Sequence, residues 1–472
     1  MSLPNSRFGA AGVAAALSGA KKLWFIGIGG VHMASLARLS LARGFSVSGS
    51  DRVRSARTEE LRHIGVTVQI GHDATGVVDA DAIIYTLAIS PDDPEYRAAC
   101  ALGIPCISRA EFLGFLMRKY PVRIGVAGSH GKSTVTAMLG EIFMRAGRSP
   151  TVVCGAEMPC GEALLIGNGT DFIFEACEYE DSFLCFSPTL AIVLNVQHDH
   201  VDYFPTPDAL QASFSRFCAL PGEGGAVLFG AQDATAARIA ASAPATTVGF
   251  GAEQGDCHAA QLTLTRGFAD FYPVFRGETG PRITLRVPGA HNAENALAAF
   301  AAARLSGIDA ATACAALCEF RGAARRMEYR GMLCGARVFD DYAHHPTEIA
   351  AAIAAARTLL GHGGRLRAVF QSHTYSRTAR FFEEICTALR AADRVLVADI
   401  YAAREEPIAG ITAEALARGI GAHADFVGDF SDIAKRLLQE LAPGDLLLVM
   451  GAGDVDLLFR EFSPKHFTID SK

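Results

Sequence analysis

The residues best suited to chemistry begin at Gly125, in a run Gly-Val-Ala-Gly-Ser-His-Gly-Lys-Ser-Thr that ends at Thr134. A lysine that follows a glycine and precedes a hydroxyl residue is the ending of a phosphate-binding loop. The usual form puts four residues between its first glycine and the Gly-Lys pair, and that position holds Val126. Gly128 is the first usable glycine, so the loop is a compact G-x-x-G-K-S made of Gly128, Ser129, His130, Gly131, Lys132 and Ser133, with Thr134 next. A strand pattern, "RIGVAG", enters it and a helical pattern, "STVTAMLGEIF", leaves it. In that context peptide N–H groups surround a β-phosphate, Lys132 reaches the β- and γ-oxygens, and the Ser133 hydroxyl faces Mg2+. ATP use is the first expectation.

Other polar clusters stand at the ends of apolar runs. "FEACEYEDSF" sets Glu175, Glu178, Glu180 and Asp181 in quick succession. A solvated acidic turn is one reading; in an ATP enzyme, carboxylate oxygen is the hard ligand that Mg2+ prefers. "NVQHDHVDYF" follows another strand with Asn195, His198, Asp199, His200 and Asp202. "GAHNAEN", "GAARRMEY", "DDYAHHPTEI" and "FQSHTYSRT" supply amides, guanidinium groups and imidazoles suited to an adenine edge, a phosphate or a carboxylate. Nearer the N-terminus, Gly27, Gly29, Gly30, Val31 and His32 follow a strand and open a helix, which aims N–H groups at a phosphate. Asp51, after Ser50, ends the next strand, where a Rossmann site holds a ribose. His32 replaces the third glycine of G-x-G-x-x-G and weakens a nicotinamide reading, leaving a bound nucleotide of another kind.

The elements that must position these groups are parallel strands alternating with helices. Three stretches show the pattern, and 472 residues suit about three domains of typical size. The expected fold class is α/β: a Rossmann-like domain over 1–119, a central P-loop ATPase domain with a mostly parallel sheet over 120–323, and a second Rossmann-like domain over 324–472. The strands of the third stretch end in polar residues, which puts side chains at the sheet edge where open α/β sheets bind ligands. The Gly- and Ala-rich stretch from 221 to 285 yields no clear pattern.

Composition narrows the partners. The net charge is -7 with no basic run, so counter-ion release from nucleic acid is no source of affinity. Twelve cysteines without a C-x-x-C pair read as reduced cytosolic thiols. Residues 8–20 are mostly Ala and Gly and lead into a buried strand, unlike a secretory h-region. No run reaches the roughly 18 apolar residues of a membrane span. A cytoplasmic monomer or homodimer is expected.

The order of these motifs resembles that of the Mur ligase family along nearly the whole chain. The likeness lies in G-x-G-G-x-x-M, G-S-H-G-K-S-T, "NVQHDHVDYF", "HNAEN", "RRMEY", "DDYAHHPTE", "FQSHTYSRT" and the "EEPI" run. The compact loop is the form this family uses, and "DDYAHHPTE" with "FQSHTYSRT" points to its alanine-adding branch. The resemblance implies an ATP-dependent ligase that joins L-alanine to the lactyl carboxylate of UDP-N-acetylmuramate through an acyl phosphate. Such an enzyme serves peptidoglycan precursor synthesis, and so cell wall biogenesis, cell shape and cell division.

Carried over by position, the resemblance assigns Gly27, Gly29, Gly30, Val31, His32, Ser50, Asp51 and His72 to the UDP-sugar. Gly128 to Thr134 would cradle ATP. His291, Asn292 and Asn295 would meet its adenine, Asp341 its ribose and Arg326 its γ-phosphate. Ser133 and Glu178 would hold one Mg2+, or Mn2+, and His200 would help hold a second. Tyr342, His344, His373 and Arg377 would surround the amino acid. Lys132, Glu178, His200, Arg326 and His344 form the expected catalytic set. Several positions depart from the family pattern. Serines replace the loop threonines and keep both hydroxyls, Ala-Cys-Glu-Tyr-Glu keeps Glu178 in register, and Ser372 and Thr374 stand where a proline and an arginine are usual. Three alternatives remain open: a ligase that recycles murein tripeptide, a nicotinamide oxidoreductase, and a non-catalytic nucleotide-binding regulator.

Overall fold

The computed structural model describes residues 3–403, 405–463 and 465–468. The chain divides into two compact units: Met1–Gln197 with Pro207–Phe250 and Ala301–Ile308, and His198–Thr206 with Gly251–Phe300 and Asp309–Lys472. The fold is α/β, with three mostly parallel sheets.

The first unit opens with strands β1 (Lys22–Ile26), β2 (Ser46–Asp51), β3 (Thr67–Ile70), β4 (Ala82–Tyr85) and β5 (Cys106–Ser108). They pair in the order β3-β2-β1-β4-β5, all parallel. β1 and β4 are buried almost end to end, as parallel strands are when their crossover helices cover both faces. Strand order reverses at β1, so the Gly27 loop leaves the sheet at its switch point, where such sheets open a crevice.

The unit continues with β6 (Val122–Ala127), β7 (Thr151–Val153), β8 (Leu164–Leu165), β9 (Asp171–Glu175), β10 (Leu190–Val193), β11 (Ala226–Gly230) and β12 (Thr246–Gly251). Their order is β12-β11-β10-β6-β9-β7-β8, with only β8 antiparallel to its neighbour. β6 again sits at the reversal, between β10 and β9, and the compact loop follows it. Gly125 lies inside β6, before the loop. A Cβ there would stand 2.7 Å from the Phe174 ring, so this glycine serves packing.

The second unit begins with β13 (Cys257–Thr265), β14 (Phe268–Phe275), β15 (Glu278–Thr279) and β16 (Ile283–Pro288), all antiparallel. These strands fill much of the stretch that the sequence leaves blank. β13 is largely exposed and carries a register shift between Ala260 and Thr263, which erases any clean alternation. The helix His291–Leu305 follows.

The last sheet contains β17 (Glu328–Leu333), β18 (Ala336–Asp341), β19 (Leu366–Phe370), β20 (Arg394–Ala398), β21 (Ala424–Gly428), β22 (Leu446–Met450) and β23 (Phe467–Thr468). Its order is β21-β20-β19-β22-β18-β17-β23, and β17 and β23 alone run antiparallel to their neighbours. β22, Leu-Leu-Leu-Val-Met, is buried at every position because the pleat sends alternate residues into two cores. Leu446, Leu448 and Met450 join the core under the helix Pro346–Leu359; Leu447 and Val449 join the one under the helix Phe430–Glu440. Each such side chain contributes about 1.5–3 kcal/mol of burial. The ends of β18, β19 and β22 are thereby fixed side by side. No helix among the described residues is long and apolar enough to cross a membrane.

Candidate active site

The compact loop is shaped by two glycines in the left-handed region and by the strand beside it. Gly128 has φ +139°, and a Cβ there would meet Leu194 and the Asn195 backbone N at 3.0–3.1 Å. The loop is laced to the segment after β10. Ser129 N–H donates to the Asn195 carbonyl at 3.1 Å, and His130 N–H to Asn195 Oδ1 at 2.8 Å. Ser129 Oγ donates to the Gln197 carbonyl at 2.8 Å, and the His130 ring lies 3.0 Å from Gln197 Oε1. Gly131, φ +86°, precedes the helix Lys132–Arg145, whose start no side chain caps. That leaves an N-terminus of peptide donors and positive dipole, which is the setting an anion needs.

Lys132 folds back over this loop. Its Nζ donates to the Gly128 carbonyl at 2.6 Å and to Glu178 Oε1 and Oε2 at 3.2 and 3.0 Å. Burial pulls against the lysine's charge, but the Glu178 carboxylate outweighs it and holds the ammonium above its ordinary pKa. The Ser133 hydroxyl donates to Glu175 Oε2 at 2.8 Å, and the same oxygen accepts from Gly155 N–H. The two acids at the end of β9 therefore divide the loop between them: Glu178 holds the lysine and Glu175 holds the serine. Thr134 is buried in the first turn of the helix.

The N-terminal glycine loop is also tied to its neighbouring strand. Gly27 and Ile28 N–H groups donate to the Ser50 carbonyl, and Gly29 N–H donates to Asp51 Oδ2 at 2.9 Å. A Cβ on Gly29 would lie 2.9 Å from that oxygen, so the contact requires glycine. Gly30 precedes the helix Val31–Ala42, again without a side-chain cap, and Val31 and His32 are exposed at its start. His72 Nδ1 lies 2.9 Å from Asp93 Oδ2 and 3.0 Å from Glu95 Oε2.

In the second unit the row of strand ends collects imidazoles around one ion pair. Arg377 donates to Asp199 Oδ1 at 3.0 Å and lies 3.4 Å from His373 Nδ1. His200 N–H donates to the same Asp199 oxygen at 2.7 Å, on a residue with φ +51°. Burial opposes the Asp199 charge, but His200 and Arg377 hold that carboxyl well below the usual carboxylate range. The His344 and His373 rings stand 6.0 Å apart, with Tyr342 against one and Tyr401 against the other. Burial lowers His344 to about 3, against Glu348 and with Arg377; burial and then Arg377 lower His373 to about 4. Both imidazoles are neutral at pH 7.

Arg326 sits on a turn between Arg325 and Met327, both with positive φ. Asp341 fixes that turn: Oδ2 accepts from Met327 N–H and Oδ1 from Ala343 N–H, each at 2.8 Å. Both guanidinium groups lie 5.0 Å from the Tyr342 ring centre. Arg325 donates to the Gly451 and Gly453 carbonyls and lies 3.5 Å from buried Asp340. Burial raises Asp340 to about 7 and Asp341 to about 6, the arginines working against it. His291 is exposed, whereas Asn292 and Asn295 are buried and bonded to each other at 2.9 Å. Lys132, Ser133 and Glu178 belong to the first unit, and His200, Arg326, Asp341, His344, His373 and Arg377 to the second.

Models of three Mur ligase domains match consecutive segments: the Mur ligase family catalytic domain at 22–121, the middle domain at 126–303 and the glutamate ligase domain at 325–453. The chain is 40% identical, over 92% of its length and 96% of the relative's, to the UDP-N-acetylmuramate--L-alanine ligase of Caldicellulosiruptor bescii. This chain belongs to the Mur ligase family. The Mur ligase is also 40% identical to the enzyme of that description from Caldanaerobacter subterraneus, over 92% and 95% of the two chains. Among solved structures, the alanine ligase MurC of Thermotoga maritima superposes with TM-score 0.80 at 27% identity, covering 93% of this chain and 98% of that one. The murein peptide ligase of Psychrobacter arcticus shares the fold, with TM-score 0.71 at 24% identity over 93% and 97%.

The sequence marks Glu175, Asn195 and Asp199 only as members of polar clusters, without a role, and does not mark Gln197 or Glu348 in this Mur ligase. Glu175 takes the Ser133 hydroxyl, Asn195 and Gln197 lace the loop, Asp199 gathers the imidazoles, and Glu348 lies 3.4 Å from His344. Their signal is position, since each follows a strand or opens a helix beside a motif.

Proposed function

We propose that this Mur ligase joins L-alanine to the lactyl carboxylate of UDP-N-acetylmuramate with ATP as energy source, acting in the cytoplasm in peptidoglycan precursor synthesis. The observation that carries the reading is Lys132, held over an uncapped helix start by the Gly128 carbonyl and Glu178. Identity of 40% to alanine ligases across nearly the whole chain supports the choice of substrates. We assign residues 1–119 to the UDP-sugar, 120–323 to ATP and 324–472 to the amino acid.

A carboxylate does not acylate an amine in water, because oxide is too poor a leaving group. In the proposed sequence a lactyl oxygen attacks the γ-phosphorus and the bond to the β-phosphate oxygen breaks, releasing ADP and leaving an acyl phosphate. The alanine nitrogen then attacks the acyl carbon, and the tetrahedral adduct expels phosphate to give the amide. Lys132 and Arg326 offset charge on the transferred group, which is positioning and electrostatic work. Arg377 offers its cation to the alanine carboxylate. The amine must lose a proton, and His344 or His373 is the proposed acceptor once the bound anionic acyl phosphate raises the imidazole's basicity above its value in the empty site. Asn292 and Asn295 would meet adenine.

Apart from His200, proposed for a second cation, the Ser133 hydroxyl and the Glu178 carboxylate supply the oxygen donors that a hard cation prefers. When bound, Mg2+ would neutralise phosphoryl charge, and these residues would hold it. The test is phosphate release from ATP with UDP-N-acetylmuramate and, in turn, L-alanine, glycine, L-serine and murein tripeptide. Release with L-alanine is expected; release with tripeptide alone would reassign the chain to recycling.

A further inference from the structure

We propose that His72, Asp93 and Glu95 form a binding site for a divalent transition-metal ion, distinct from the ATP loop. His72 follows β3, after Gly71 with φ +99°, and the two acids open the helix Pro94–Ala101. Their ligand atoms all lie within 4.8 Å of one another. The nitrogen-to-oxygen separations, 2.9 and 3.0 Å, are those of neighbouring ligands in an octahedral shell. Metal–ligand bonds of about 2.1 Å place adjacent donors about 3.0 Å apart.

The direction of the ring nitrogen separates this site from an ordinary ion pair. His72 Nδ1 is buried and makes no hydrogen bond, although two carboxylate oxygens stand within 3.0 Å. Both oxygens are therefore off the axis that an N–H donor needs. A nitrogen and oxygens that share one ion sit in that way, the lone pair aimed at the metal and the oxygens to its sides.

The surrounding residues are arranged as metal sites require. Asp93 uses Oδ1 to cap the helix, accepting from Glu95 and Tyr96 N–H groups, and so presents Oδ2. Glu95 is fully buried; its Oε1 accepts from Trp24 Nε1 at 3.2 Å and its Oε2 from Ser50 Oγ at 2.5 Å. Such outer hydrogen bonds orient ligating carboxylates. Burial raises the Glu95 carboxyl, and a dication between two carboxylates would leave the cluster neutral. One imidazole and two carboxylates suit Mn2+, Fe2+ or Zn2+, with positions left for water or a substrate oxygen.

Trp24 is the only tryptophan in the chain and touches a ligand, so it reports on the site. The full chain, stripped by chelator and free of nucleotide, is titrated with Co2+ while Trp24 emission and cobalt d–d absorption are followed. One Co2+ should quench Trp24. His72→Ala should weaken that event by about 100-fold, and Asp93→Asn, which keeps a good helix cap, by at least about tenfold. Ser133→Ala should leave the quench intact. Co2+ binding that leaves Trp24 emission unchanged would overturn the site, as would equal affinity in folded His72→Ala and Asp93→Asn proteins checked by circular dichroism. Neither result bears on the ligase reading, which phosphate release tests.

Discussion

Lys132 and Glu178 form a buried ion pair, 3.0 Å apart, with the lysine side chain 13% and the glutamate 1% exposed. Removing one member strands the other's charge, at a cost of about 3–5 kcal/mol. Lys132→Ala should therefore abolish substrate-dependent phosphate release and also lower stability to urea by that order. Lys132→Ala with Glu178→Gln should recover at least half of the lost stability and none of the activity. A double variant as unstable as the single one would show that the pair is not what the lysine contributes.

Gly125 and Gly128 separate packing from binding. Gly128→Ala places a Cβ at φ +139° and against Leu194, a strain of about 1–3 kcal/mol in the loop itself. ATP affinity should fall at least tenfold. Gly125→Ala presses on the Phe174 ring instead, and overpacking there costs about 1–3 kcal/mol of stability. Its ATP affinity should change much less. Urea unfolding should show both variants destabilised to a similar degree while calorimetric titration separates them, and equal loss of ATP affinity in the two would refute the division.

His373, held near 4, leaves a pH signature. The unfolded chain binds more protons than the folded one between that value and the ordinary 6.5, so this contribution is present above pH 6.5 and is lost as pH falls toward 4. Replacing His373 by Gln removes the titration. The fall in Tm from pH 7 to 4.5 should be shallower in His373→Gln than in the parent; parallel curves would contradict a buried neutral imidazole.

Asp340 carries the opposite sign. Burial lifts it to about 7, so the folded chain holds a proton that the unfolded chain releases above the ordinary carboxylate range. Its contribution is complete below about pH 4 and is lost as pH rises through 7. Asp340→Asn should gain Tm relative to the parent on going from pH 5 to pH 8. A difference that stays constant with pH would place the charge elsewhere.

The loop and the parallel sheets are legible in the sequence because their signals are local: apolar runs of strand length, and glycines beside lysine and serine. Partner choice across strand ends is not legible. Nothing near Ser133 in sequence indicates Glu175 rather than Glu178, since the choice follows from where β6 and β9 end in register. Asp341 is another case. The motif marks it as functional, yet both of its oxygens hold backbone N–H groups around Arg326 and Tyr342, a relation made by a turn with positive φ on each side of Arg326. The antiparallel strands from Cys257 to Pro288 escape notice because an exposed, bulged strand has no regular apolar period.

The bare start of the helix at Lys132 has a practical corollary for the bench. A cradle of peptide donors does not distinguish a nucleotide's phosphate from any tetrahedral oxyanion of similar size. Sulfate and inorganic phosphate in a buffer should raise the apparent KM for ATP and leave kcat unchanged, so turnover is best compared in chloride or acetate.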